Sequence, residues 1–387
     1  MDDVGFFTPI SYGSIQRSKS QERLEAVDSY LSLSGRKAQV VPGWNIGKSE
    51  GTILIQEETS WGRTALKVLS YCTIILPLIA LIAKASLRAP YHFHQIDVRG
   101  ELEKGIEITE GMKAALQCEK ETIYGEPVDT EKVKWEKRFS CNFRTFSLTT
   151  EPNLIFTMVS PGYTYPKDSR KLTEADIAEG YVASRVRARE TCILHDLDLL
   201  EIPKLKKFEL DGHIFIAEQR SLHEKQDQEQ FYEAYAKDDE ALAALELTTF
   251  IAKTGFRVDE TTVLCNPDKA HPFTILDQGS LASRDKIPQR AAMGISGSKA
   301  FSESCGLIRC LRSEKQIDAV IAKAAKLGIQ SHWGLQTPEQ ARKETLAVIQ
   351  HNQALDAFHQ ANGISGNGKK PIVIEDLTSL DLENSTL

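Results

Sequence analysis

The residues best suited to chemistry lie in an acidic turn that follows a short apolar stretch. Residues Phe273 to Leu276 have the composition of a buried β-strand, and Asp277, Gln278 and Gly279 follow directly. A carboxylate on such a turn can hold the Mg²⁺ that accompanies nucleotide phosphates. Asp277 is therefore the candidate metal ligand, with Gly279 in the same turn. The alternative is a polar turn after a core strand, without a ligand.

A second acidic residue, Asp259, is the candidate catalytic carboxylate. A phosphoryl-transfer loop places an asparagine after four intervening residues, where it holds a metal ion. Here that position falls on Val263 and Leu264, with Thr262 as the nearest polar side chain, and Asn266 comes too late in the loop. The other interpretation of Asp259 is a solvated or helix-capping loop residue.

The groups that would hold a nucleotide are incomplete. Transfer of a phosphoryl group needs a cation on the third strand of a small sheet. The matching strand, "LIFTM", offers Thr157 and Met158, and no glycine-rich phosphate loop precedes it. Glu218, in "FIAEQR" (215–220), falls where backbone groups would meet an adenine, or else simply ends a strand. The nucleotide-binding candidates are Thr157, Glu218, Thr262, Asp277 and Gly279.

The order of predicted elements gives the fold class. Two short strands, at 143–148 and 154–159, precede a long helix that opens with a capping box at Thr173–Asp176. A hairpin with an Asp-Gly turn follows, then helices, the strand before Asp277, and more helices. This order predicts an α+β, protein-kinase-like two-lobed fold over residues 140–361, with a small β-rich lobe and a helical C-terminal lobe.

One segment near the N-terminus is strongly apolar. Sixteen uncharged residues, Val68 to Ala83, lie between Lys67 and Lys84. As a helix they would cover about 24 Å, and snorkelling lysines could extend this towards the bilayer's hydrocarbon thickness of about 30 Å. The prediction is a transmembrane helix over 66–88, kinked at its proline, and the alternative is a core helix of a globular domain. Its membrane-facing candidates are Val68, Ile74, Ile75, Leu76, Pro77, Leu78, Ile79, Leu81 and Ile82.

Composition narrows the partners and the compartment. The 387 residues carry a net charge of −7, which argues against non-specific binding of nucleic acid. Seven scattered cysteines without a C-x-x-C pair favour reduced thiols and a reducing compartment for most of the chain. The expected layout is a flexible tail at 1–45, the apolar segment at 66–88, a helical connection at 89–139, the kinase-like domain at 140–361, and a linker with an acidic tail at 362–387.

Five stretches carry a resemblance to known proteins: "LKVLSYCTIILPLIALIAKASLR" (66–88), "NLIFTMVSPG" (153–162), "LDLLEIPKLKKFELDG" (197–212), "FIAEQR" (215–220) and "FIAKTGFRVDETTVLCNP" (250–267). Through them the chain resembles a family of chlamydial membrane proteins, particularly from amoeba-associated chlamydiae, that pair a proline-containing apolar segment with a degenerate protein-kinase-like domain. The resemblance covers about residues 60–330. It assigns no function by itself, and it raises the expectation of a secreted effector.

Three functions follow as expectations. The first is a membrane-anchored, pseudokinase-like binding or regulatory module that transfers no phosphate, with a membrane and a protein of open identity as partners. The second is a divergent active phosphotransferase that uses Asp259 and Asp277. The third is a structural membrane-associated protein. The cofactor stays open, ATP with Mg²⁺ being the one that a kinase-like domain would imply.

Overall fold

The computed structural model describes most of the first 276 residues and parts of the remainder. The described residues are 3–13, 16–33, 35–46, 49–56, 61–71, 74–135, 143–159, 173–221, 241–256, 263–265, 271, 273–276, 314, 318, 322 and 338–362. The chain divides into two compact units. Unit 1 comprises Met1–Arg99 with Glu190–Asp196, and unit 2 comprises Gly100–Arg189 with Leu197–Leu387.

Unit 1 is built on a four-stranded sheet with the order β1-β2-β3-β4. The central pair, β2 and β3, is antiparallel, and the outer strands run parallel to their neighbours. The apolar core beside it includes Ile10, Tyr12, Leu24 and Phe93. The segment expected to be a flexible tail thus contributes strands and a helix to this unit. Its elements are β1 (Ile10–Ser11), α1 (Lys19–Leu31), β2 (Arg36–Ile46), β3 (Ser49–Gln56), α2 (Trp61–Tyr71), α3 (Ile75–Arg88) and β4 (His92–Gln95).

The predicted transmembrane helix is wrong. The apolar segment forms two helices, α2 of 11 residues and α3 of 14 residues, which span about 16 Å and about 21 Å. Among the described residues, no helix combines the length and the apolar character needed to cross a bilayer. Ile74, at the break, has a φ of 56°, a value that β-branched residues rarely adopt. Pro77 lies in the first turn of α3, where a missing N–H is tolerated, instead of kinking one long helix.

The cations of this segment point into unit 1 rather than towards headgroups. Lys84 is 2% exposed and its Nζ lies 2.5 Å from a carboxylate oxygen of Asp28, which is 0% exposed. Arg88 donates hydrogen bonds to the carbonyl oxygens of Val4, Phe6 and Thr8. Burial lowers the pKa of Arg88, and the charge of Asp28 opposes that shift. The single-pass location expected from the sequence is therefore not supported.

Unit 2 contains a five-stranded antiparallel sheet with the order β5-β6-β7-β10-β9. A second, three-stranded sheet has the order β11-β12-β8. The elements of this unit are α4 (Val98–Glu103), α5 (Glu110–Cys118), α6 (Lys120–Tyr124), β5 (Val133–Trp135), β6 (Phe143–Leu148), β7 (Leu154–Val159), α7 (Glu174–His195), β8 (Leu200–Glu201), β9 (Leu205–Leu210), β10 (His213–Gln219), α8 (Ala241–Thr254), β11 (Val263–Cys265), β12 (Phe273–Ile275) and α9 (Pro338–Ala361). The start of α4 and the end of α7 belong to unit 1.

The fold class predicted from the sequence needs correction. The described residues form a mixed α/β structure with several sheets, and a two-lobed protein-kinase-like fold behind a membrane helix is not confirmed. The local elements agree with the sequence: two strands, the long helix, the hairpin through Gly212 and the strand before Asp277 occur in the expected order. Much of the predicted helical lobe lies outside the described residues, so the order of local elements does not establish the class.

Candidate functional site

Helix α7 begins where the sequence predicts, because the capping box forms. The backbone N–H of Asp176 donates to the Thr173 hydroxyl at 3.1 Å, and the backbone N–H of Thr173 donates to the Asp176 carboxylate at 2.9 Å. The backbone N–H and the hydroxyl of Thr173 both donate to the Asp176 carboxylate, and these two hydrogen bonds lower its pKa. The cap fixes the start of the helix, and with it the direction in which each later side chain points.

The buried face of α7 packs on the five-stranded sheet. Ala178 and Val182, four residues apart on the helix, contact the buried Leu205 of β9 and Ile216 of β10. Tyr181 and Arg185 lie beside this pair, also four residues apart. The helix therefore carries one tyrosine and one arginine to the same face of the sheet.

An arginine cluster, formed by Tyr181, Arg185 and Glu218, occupies that face. One nitrogen of Arg185, Nη2, lies 2.7 Å from Oε2 of Glu218, and both side chains are 0% exposed. The Tyr181 hydroxyl donates to the same carboxylate oxygen at 2.8 Å and accepts a hydrogen bond from Arg185 at 3.2 Å. The three side chains thus share one closed set of hydrogen bonds in a buried setting.

The guanidinium also reaches two backbone carbonyls. It donates to the carbonyl oxygen of Pro203 at 3.3 Å and, at the limit of hydrogen bonding, to that of Leu276 at 3.5 Å. The planar guanidinium has several N–H donors and can therefore bind several acceptors at once, whereas a lysine would supply a compact point charge. Arg185 consequently links α7 and β10 to Pro203, which lies between β8 and β9, and to Leu276, which directly follows β12.

Of the predicted nucleotide-binding residues, two lie on this face. Thr157 is opposite Ile216 in the β7–β10 register, and Ile155 is opposite Glu218, so Thr157 and Glu218 share a face of the sheet. Thr157 is buried, with its hydroxyl 3.5 Å from that of Thr145. The strand position where phosphates would need a cation therefore holds a pair of neutral hydroxyls.

The remaining predicted residues cannot be placed. Asp259, Thr262, Asp277 and Gly279 lie outside the described residues. The strand that leads to the acidic turn is described: β12 pairs antiparallel with β11 and parallel with β8. Its Thr274 hydroxyl donates to the Glu201 carboxylate at 2.6 Å. Leu276, whose carbonyl oxygen accepts from Arg185, is the residue directly before Asp277 in the sequence.

Sequence reasoning missed Tyr181 and Arg185. The carboxylate of Glu179, on the same helix, pairs instead with Lys207 at 2.5 Å on a partly exposed surface. A signal was present, since Arg185 continues the stripe of Ala178 and Val182 at helical spacing. An arginine within an apolar stripe indicates a buried acidic partner. Only the fold identifies that partner as Glu218.

In the arginine cluster, the positive charge of Arg185 is compensated by the carboxylate of Glu218. A carboxylate and a guanidinium that are fully buried together leave little net charge for a ligand. Within the part of the chain that the structure describes, no three histidine, cysteine or acidic side chains converge as a metal site would require. In comparisons with protein-family models and with curated proteins, nothing matches the chain.

Proposed function

We propose that unit 2 is a binding or regulatory module that does not transfer phosphate, the pseudokinase-like function expected from the sequence without its membrane anchor. One observation carries the proposal. The cation that α7 brings to the sheet, Arg185, is already matched by the buried Glu218. Phosphoryl transfer depends on uncompensated positive charge around the transferred group, and the neighbouring strand position is the neutral Thr157.

The test is a transfer assay with radiolabelled ATP and Mg²⁺. Because the cation of the described site, Arg185, is already paired with Glu218, we expect no transfer to the chain itself or to a generic acceptor protein. The comparison is with Asp277→Ala, and Asp198→Ala, at an exposed position, is the matched control. Transfer that persists in the control and disappears in Asp277→Ala would establish the active phosphotransferase instead.

Binding is measured separately by thermal shift. A ligand that binds only the folded chain raises the free energy of unfolding by RT ln(1 + [L]/Kd), where [L] is the free ligand concentration. We expect ATP and ADP to produce the same small shift with and without Mg²⁺, since the module does not depend on a metal. A shift that requires Mg²⁺ would contradict the proposal, and the absence of any shift would favour the purely structural function.

A further inference from the structure

We propose that helices α2 and α3 of unit 1 form a dimer interface whose occupant is a second copy of this chain. The two helices present an apolar face to solvent. Its members are large aliphatic side chains that are 49–75% exposed: Leu66, Val68, Leu69, Ile74, Ile75, Leu76, Leu78, Ile79 and Ile82. Tyr71 and Ile74 are joined by a backbone hydrogen bond of 3.1 Å, which links the end of α2 to the start of α3.

The size of the apolar face matches one half of a homodimer interface. A fully exposed leucine or isoleucine side chain presents on the order of 100 Å² of apolar surface, so the apolar face presents on the order of 500 Å². A stable interface buries about 800 Å² on each partner, and in homodimers about 65% of it is apolar. The apolar part of such an interface is thus about 520 Å² on each partner, which agrees with the area of the apolar face. An isologous contact brings this same surface from both copies together.

The spacing along α3 indicates that the occupant is a helix. Ile75, Leu78, Ile82 and Ala85 follow one another at intervals of three, four and three residues, the spacing of a coiled-coil seam. All four are exposed. Isoleucine at the first position of the repeat with leucine at the fourth favours two parallel strands. The stripe is therefore suited to the same stripe of a second chain.

The opposite stripe of α3 shows why a lipid surface fits less well. Helices that lie in a bilayer interface keep lysine and arginine on the polar face for the headgroups. Here Lys84 is buried against Asp28, and Arg88 is committed to backbone carbonyls. Lys67 donates to the carbonyl oxygens of Ser29 and Ser32. These cations already have partners within unit 1, and an occupant that needs only apolar contact remains.

The experiment is sedimentation velocity on the full chain over about 0.5 to about 50 μM, a range that spans micromolar dissociation constants. We expect a dimer whose dissociation constant rises at least tenfold in the double variant Leu78→Glu, Ile82→Glu, because four carboxylates would then be buried without partners. Val128→Glu with Phe358→Glu is the matched control, since both are exposed apolar residues outside the apolar face. Circular dichroism checks that every variant folds.

Flotation with vesicles, of phosphatidylcholine alone and with phosphatidylserine, identifies the competing occupant. The dimer is expected to stay with the protein fraction. A monomeric chain that floats, and that loses flotation in the Leu78→Glu, Ile82→Glu variant, would overturn the proposal in favour of a lipid surface. A chain that stays monomeric and does not float would also overturn it, as would a dimer that the double variant leaves intact.

Discussion

Among the described residues, a buried ion pair occurs in each unit, and the residue that makes the most contacts is the cation in one pair and the anion in the other. In unit 2 the cation is the hub: Arg185 contacts Glu218, Tyr181 and the carbonyls of two loops. In unit 1 the anion is the hub, because Asp28 binds Lys84 and also accepts the backbone N–H of Ile10 at 2.8 Å. A guanidinium can serve several planar acceptors, whereas an ammonium is a compact point charge. Either the cation or the anion of a buried ion pair can therefore be the residue that connects several elements of the fold.

The largest effect is expected from removing the hub of unit 2. Arg185→Met leaves Glu218 charged and buried without a cation, so we expect the free energy of unfolding to fall by about 3–5 kcal/mol. Glu218→Gln should cost less, because the amide oxygen can still accept from Arg185 and Tyr181. Urea denaturation of both variants measures the order. A larger loss in Glu218→Gln would show that the carboxylate is the hub.

In unit 1 the order should reverse. Asp28→Leu removes the partner of Lys84 and the acceptor of Ile10 together, and we expect a loss of about 3–5 kcal/mol. Lys84→Met leaves the carboxylate one donor, the N–H of Ile10, and should cost less. The same urea series measures both.

The double variant Lys84→Met, Asp28→Leu sharpens this prediction. Replacing both charges with apolar side chains removes the cost of burying them, but the N–H of Ile10 keeps no acceptor, at a cost of about 1–3 kcal/mol. We therefore expect recovery of part of the loss seen in Asp28→Leu. Complete recovery would show that the contact with Ile10 contributes little.

Several local elements of unit 2 could be predicted from the sequence, and the buried ion pairs of both units could not. The capping box at Thr173 and the Asp-Gly hairpin turn each depend on residues that are close together in the sequence, and both are present. The ion pair of Arg185 with Glu218 joins residues 33 positions apart. Such a partner is chosen by the packing of a helix on a strand, which periodicity does not specify.

The apolar segment shows how a correct observation led to a wrong structure. Its apolar composition and its length predict a membrane helix with Lys84 at the bilayer surface, and this prediction is wrong. The structure buries Lys84 because Asp28, on α1, supplies a carboxylate more than fifty residues earlier in the chain. A lysine that follows an apolar run is compatible with either placement, so only the partner decides between them.

A third buried carboxylate, Glu50 of β3, extends the comparison to a site without a described cation. Glu50 is 3% exposed, and the side-chain amide of Gln21 donates to it at 2.9 Å. Burial raises the pKa of Glu50, while the nearby Tyr12 hydroxyl and the hydrogen bond from Gln21 act in the opposite direction. The same carboxylate raises the pKa of the buried Tyr12 hydroxyl, although burial is the larger cause.

Because the pKa of Glu50 is higher in the folded chain, the folded state binds more protons than the unfolded state just above the ordinary glutamate range. Stability should therefore fall as the pH rises through that window and stay lower at neutral pH. We expect Glu50→Gln to melt at a higher temperature than the parent chain at pH 7, and the difference to disappear as the pH falls towards 4. Thermal denaturation across this range measures it, with Glu126→Gln, at an exposed position, as the control for loss of one charge. A difference that stayed constant with pH would mean that shape, rather than the uncompensated charge, distinguishes Glu50 from Glu218 and Asp28.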